Sequence, residues 1–173
     1  MAEALQPAIP DEVERLAQAV LDAACAGDLR LATAESCTGG LLASLLTDIP
    51  GKSHAFERGF VTYTDAAKHE MLGVPMRLLE TEGAVSEAVA RAMAEGSLQA
   101  STASLSVAVT GFTDGAPEGC EGLVHFACAR RGGATRVVAR RFGDAGRAAV
   151  RLAALEVALK LLHDELGADA RAA

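Results

Sequence analysis

Behind Pro10 and Asp11, apolar residues recur at Val13, Leu16, Ala17, Val20, Leu21 and Ala24. That three-to-four spacing lays them along one stripe of a helix, which Gly27 stops. Residues 29–34 then form a short apolar run of strand length. It delivers the polar turn Glu35-Ser36-Cys37-Thr38-Gly39-Gly40 to residues 41–46, which are apolar with helical character. A second strand is predicted over 59–63, where β-formers concentrate. Thr64-Asp65 then caps a helix over 66–72, ended by Gly73 and Pro75. Ser86 caps a helix over 87–99, and residues 105–109 form a strand running into Thr110-Gly111.

Residues 112–122 are turn chemistry, with Gly115, Pro117 and Gly119 among them. Two strands follow, 123–129 and 136–142, pairing as a hairpin around Gly132-Gly133. The last helix is expected over 147–166, with Gly167 ending it and a frayed tail beyond. Helices alternating with short buried strands predict an α/β fold, a three-layer α/β/α sandwich. The two consecutive late strands make its sheet mixed, though mostly parallel, with about five strands. In such sheets sites form beyond the C-terminal ends of strands. Three polar segments, 35–40, 63–68 and 110–111, sit at such ends and are expected to converge.

Composition narrows the picture. Half the residues are hydrophobic and 23% are charged, the balance of a compact domain. The chain of 173 residues reads as an arm over 1–10, one domain over 11–166 and a tail over 167–173. A formal charge of −7 without a basic face disfavours nucleic acid. No apolar stretch approaches the ~18 residues of a membrane span, and no secretory signal opens the chain, so a cytoplasmic protein is expected. Cys25, Cys37, Cys120 and Cys128 lack CxxC spacing and read as reduced thiols. His54, His69, His125 and His163 lack zinc-site spacing, so neither a metal nor another cofactor is expected.

Ser36 lies where a strand meets a helix, with the amides of Thr38, Gly39 and Gly40 placed to hold a phosphate or an oxyanion. The same turn also reads as a plain N-cap with close-packed glycines. A serine needs a base, and no histidine partners Ser36 in the sequence; Lys68 is the leading candidate. Its amine accepts a proton only when neutral, which requires burial or nearby positive charge such as Arg147. Tyr63 is placed to relay the proton or orient the amine. Alternatively, Lys68 is an exposed helix charge and Tyr63 a strand-end aromatic. Tyr63-x4-Lys68 is one residue longer than the pair of short-chain dehydrogenases, and no GxGxxG accompanies it. Arg147 and Arg151, one turn apart, suit either an anion or a solvated helix face. Thr110-Gly111 offers a hydroxyl and amides, or an ordinary strand-to-loop transition.

Taken together, Thr33-Ala34-Glu35-Ser36-Cys37-Thr38-Gly39-Gly40, Asp48-Ile49-Pro50-Gly51, Phe60-Val61-Thr62-Tyr63 with Lys68, Leu72-Gly73-Val74 and Gly83-Ala84-Val85-Ser86 strongly resemble the C-terminal domain of the competence/damage-inducible protein CinA. The resemblance covers residues 11–165. It implies a three-layer sandwich with a mixed five-stranded sheet, commonly a homodimer. It also implies hydrolysis of nicotinamide mononucleotide to nicotinate mononucleotide and ammonia without a metal. The family's catalytic serine, lysine and tyrosine fall on Ser36, Lys68 and Tyr63. Its arginine falls on Arg147 when two extra residues are allowed after Gly143. Glu35, Thr38, Gly39, Gly40, Thr110 and Gly111 complete the expected substrate-binding set.

The chain departs from the family's Ile-Ala-Gly-Pro continuation after Thr110-Gly111. Its loop over 112–122 is about three residues shorter and carries Asp114, Glu118 and Glu121 where an anionic nucleotide approaches. Two other expectations therefore stand beside the first: an amidase for a different amide, and a nucleotide-binding homologue without catalysis.

Overall fold

The computed structural model describes residues 9–169. Its helices are α1 (Asp11–Ala26), α2 (Leu41–Asp48), α3 (Asp65–Leu72), α4 (Met76–Glu82), α5 (Glu87–Gln99) and α6 (Arg147–Asp169). Its strands are β1 (Leu31–Glu35), β2 (Phe56–Val61), β3 (Leu105–Gly111), β4 (Leu123–Arg130) and β5 (Arg136–Arg141). They form one sheet in the order β2-β1-β3-β4-β5. The strand β1 runs parallel to β2 and β3, whereas β3–β4 and β4–β5 are antiparallel. The expected mixed sheet in a three-layer α/β/α arrangement is therefore observed.

Strand alternation sorts the core into two faces. Leu31, Leu105, Val107, Val109, Val124, Phe126 and Cys128 point to one side and pack with α1, α2 and α6. Ala32, Ala34, Ala108, Ala127 and Ala129 point to the other, against α5. On β1, β3 and β4 this second face is built of alanines, so α5 lies close to the sheet there. There Ser97 donates to the Ala94 carbonyl at 2.7 Å and is bonded to Ser106 of β3.

Several boundaries differ from the sequence reading. The strand β2 starts at Phe56 and ends at Val61, which leaves Tyr63 in the connection to α3. Helix α4 is additional, with seven residues too few to display a helical period and Pro75 preceding its first turn. Helix α6 continues through Gly167. One interior glycine costs only about 1 kcal/mol, less than the packing of a long helix against the core supplies. Of the expected N-terminal arm, residues 1–8 lie outside the described residues, as do residues 170–173 of the expected tail. Ile9 packs against the core. Among the described residues no helix is long and apolar enough to cross a membrane.

Candidate active site

The ends of β1, β2 and β3 fall in register, with Glu35 opposite both Val61 and Val109. The Ser36 amide donates to the Val109 carbonyl at 2.9 Å, and Thr62 donates to the Glu35 carbonyl at 2.8 Å. Beyond them the chain must turn sharply into α2. It does so through Gly39 and Gly40, at φ of 63° and 92°, a left-handed region that glycine enters without steric cost.

Glu35 is completely buried beneath this turn. Its carboxylate accepts from the amides of Gly40 (3.1 Å), Leu42 (3.0 Å) and Ala43 (2.8 Å) and from the Thr33 hydroxyl (3.3 Å). An anion at a helix N-terminus satisfies donors that otherwise lack partners. The expected contact of Glu35 with substrate is therefore corrected: its oxygens are committed to α2. The same bonding occupies two of the three amides expected to hold an anion. The Gly40 amide serves Glu35, and the Gly39 amide donates to the Ser36 carbonyl at 3.2 Å. Thr38 is buried with its hydroxyl unpartnered, and its carbonyl accepts from Arg151, so Arg151 holds the turn. We expect Glu35→Gln to lower unfolding free energy by about 1–2 kcal/mol in urea denaturation, since an amide NH₂ then faces backbone donors.

Lys68 sits one turn into α3, whose first turn Thr64 caps by accepting from the Ala67 amide at 3.1 Å. Its side chain is 1% exposed. The amine donates to the Tyr63 carbonyl at 3.3 Å and stands 3.9 Å from Asp65. Burial pushes the Lys68 pKa below the ordinary lysine range, opposed by the charges of Asp65 and then Cys37. Burial and not Arg147 is thus the cause. Tyr63 faces Lys68 with its backbone carbonyl, and the residue as a whole is 67% exposed. Its hydroxyl side lies with Arg147, which is kept protonated first by Asp114 and then by Tyr63. The Arg147–Asp114 distance is 2.9 Å.

A cavity of about 270 Å³ brings together six predicted residues: Ser36, Tyr63, Lys68, Thr110, Gly111 and Arg147. Glu35, Thr38, Gly39 and Gly40 do not line it. Thr110 spends its hydroxyl on the Ala84 carbonyl at 2.7 Å, which ties the segment before α5 to the rim. At Gly111 a Cβ would stand 2.6 Å from Val124 and 2.8 Å from the Leu123 carbonyl, so only glycine lets β4 approach. A wider groove of about 630 Å³ between Pro75, Leu78, Arg91 and Gln99 contains neither Ser36 nor Lys68. Among the described residues, no three His, Cys, Asp or Glu side chains gather where they could hold a metal ion.

Over residues 13–166 the chain matches the family model of the CinA C-terminal domain. It belongs to that family. A CinA-like protein of Akkermansia muciniphila is 57% identical over 112 residues, 63% of this chain and 27% of that protein. A CinA-like protein of Anaeromyxobacter sp. (strain Fw109-5) is 48% identical over 137 residues, 78% of this chain and 33% of that protein. The chain thus spans a third or less of the length of these curated relatives. Among solved structures, the competence/damage inducible protein CihA from Agrobacterium tumefaciens is 43% identical with a TM-score of 0.88, over 94% of this chain and 99% of that one. A CinA superfamily protein from Escherichia coli is 38% identical with a TM-score of 0.83, over 93% and 95% of the two chains.

In this CinA domain the cavity also takes in Cys37, Ala84, Val85, Phe112, Thr113 and Asp114, which the sequence did not single out as site residues. Cys37 adjoins Ser36 in sequence, yet burial pushes its thiol pKa up to about 12. A thiol so protonated is no nucleophile at neutral pH. Ala84 and Val85 were visible only as part of the family resemblance, and nothing in their types marks a site. Asp114 was recognisable as a charge, but its partner lies 33 residues away.

Proposed function

We propose that this chain is a nicotinamide-nucleotide amidase, hydrolysing nicotinamide mononucleotide to nicotinate mononucleotide and ammonia. The observation that carries the reading is the buried, desolvated amine of Lys68 in the same cavity as Ser36. An amine taken out of water becomes neutral at lower pH and can then act as a base. Lys68 takes the proton of the Ser36 hydroxyl as its oxygen bonds to the carboxamide carbon. The tetrahedral intermediate collapses with loss of the C–N bond, and the Lys68 ammonium returns the proton to the departing ammonia. Water, deprotonated by Lys68, then hydrolyses the acyl-serine and releases the carboxylate.

The Tyr63 carbonyl orients the base, since the amine donates to it. With the Gly39 and Gly40 amides occupied, oxyanion stabilisation falls to the Gly111 side of the cavity. Arg147 supplies the cation for the nucleotide's phosphate. A second reading, an amidase for a carboxamide without a phosphate, is favoured by the pairing of Arg147 with Asp114.

The test is incubation of the purified chain with nicotinamide mononucleotide. Ammonia and nicotinate mononucleotide are expected in equal amounts. Ammonia from other carboxamides alone favours the second reading. Calorimetric binding of the nucleotide without any turnover rejects both in favour of a silent homologue.

A further inference from the structure

Arg147 opens α6 at the rim of the cavity, and it is already partnered there. Its Nη2 donates to Asp114 Oδ2 at 2.9 Å, and both residues line the cavity that holds Ser36 and Lys68. Other sources of positive charge are spoken for. Arg151 bonds to the Thr38 carbonyl, Lys68 is buried against the Tyr63 carbonyl, and the Gly39 and Gly40 amides serve the α2 turn. Among the described residues lining the cavity, Arg147 and Lys68 are the basic ones. A phosphate arriving at this rim meets an Arg147 whose Nη2 Asp114 already holds.

The contest is real because neither side holds an overwhelming advantage. Arg147 and Asp114 are 46% and 56% exposed, and an ion pair so open to water is weak. A phosphate monoester carries close to two negative charges at neutral pH and forms stronger bonds to a guanidinium. Even when displaced, the carboxylate remains on a loop that lines the cavity. The ends of that loop are fastened by Phe112 donating to the Leu123 carbonyl (2.9 Å) and by Phe142 donating to the Gly122 carbonyl (3.0 Å). Arg141 adds a bond to the Gly119 carbonyl. A nucleoside ending in a hydroxyl meets no such competition, because the Arg147–Asp114 pair stays intact beside it.

We propose that Asp114 is a specificity-determining residue, an internal carboxylate that competes with a substrate's phosphate for Arg147. It levels the preference between a phosphorylated carboxamide nucleotide and the corresponding nucleoside. This inference rests on the amidase reading above and names which end of the substrate the chain discriminates.

Ammonia release measured with nicotinamide mononucleotide and with nicotinamide riboside tests it, using the ratio of their kcat/KM values. In Asp114→Asn, and in Asp114→Ser as a second uncharged variant, the nucleotide-to-riboside ratio rises about tenfold, the scale of one good charge contact, chiefly through a lower nucleotide KM. Asp114→Glu, which keeps the charge, stays near the wild-type ratio. In an Arg147→Ala background, Asp114→Asn shifts the ratio far less, since no guanidinium remains to be contested. An unmoved ratio in both uncharged variants, with nucleotide turnover intact, overturns the inference alone. An equal rise without Arg147 also overturns it, leaving simple repulsion. Turnover of neither substrate by any form overturns the amidase reading together with the inference.

Discussion

Lys68→Met lowers kcat/KM for carboxamide hydrolysis by about 10²- to 10⁴-fold, the usual contribution of a positioned proton acceptor, and yields a protein more stable than the wild type. Both halves follow from one placement. The amine is sealed from solvent with one carbonyl as its hydrogen-bond partner and Asp65 at 3.9 Å, so its charged form is poorly compensated, and methionine fills the same space without a charge. Ser36→Ala should lose activity on the same scale, and the double variant little more than either alone, because in the proposed mechanism the two groups act in one proton transfer. Loss of activity together with gain of stability is the signature of a group kept for chemistry.

The pH dependence has a defined sign. Under the proposed mechanism the wild-type rate is expected to rise with pH through the depressed Lys68 pKa, since only the neutral amine accepts a proton. Stability follows linkage: between that depressed pKa and the ordinary lysine range the unfolded chain binds more protons than the folded one, so wild-type stability climbs as pH rises. Below the depressed pKa the full cost of burying the charge is present. The stability advantage of Lys68→Met should therefore be largest at low pH within the native range and shrink toward pH ~10. Thermal unfolding across pH, beside ammonia release, checks both. A methionine variant with ordinary activity, or a rate that falls as pH rises through neutrality, removes Lys68 from the mechanism.

Gly96→Ala is the second large effect, and it acts on the scaffold. A Cβ at Gly96 of α5 would stand 1.9 Å from the Leu72 carbonyl oxygen and 2.9 Å from its carbon. That obstacle is backbone at the end of α3, where Gly73 donates to the His69 carbonyl at 2.9 Å, so no flexible side chain can swing aside. Alanine gains about 1 kcal/mol in helix propensity over glycine. Overpacking of a buried contact costs about 1–3 kcal/mol and more where backbone must move. We expect a net loss of about 2–3 kcal/mol, a fall in Tm of roughly 5–10 °C for a domain of this size. Because α3 carries Lys68, kcat should fall as well. A variant with wild-type Tm and activity would show that α3 and α5 separate freely.

The elements most legible in the sequence were those with a full period or a clear cap. Helix α1 shows its apolar stripe over 16 residues. Thr64 and Ser86 mark the starts of α3 and α5, and each accepts the expected amide hydrogen bond. Helix α4 escaped because its two leucines, Leu78 and Leu79, are adjacent and so display no helical period. At the site, Ser36 and Lys68 line one cavity, whereas Glu35 lies buried beneath the turn and outside it. Its position before a glycine turn fits either an outward ligand or an inward cap, and only the approach of α2 over β1 decides between them. The Arg147–Asp114 pair was hidden for a related reason: sequence shows charges, whereas partnership depends on where a long loop is fastened.

The two sides of the sheet also differ in how they can change over time. Leucines, valines and a phenylalanine on one side can exchange volume with their neighbours. The wall of alanines beneath α5 has nothing to give up, and every enlargement there must displace a helix. Val89, Met93 and Leu98 of α5 supply the bulk that the alanines leave out, so the room for exchange on this side lies in the helix and not in the strands beneath it.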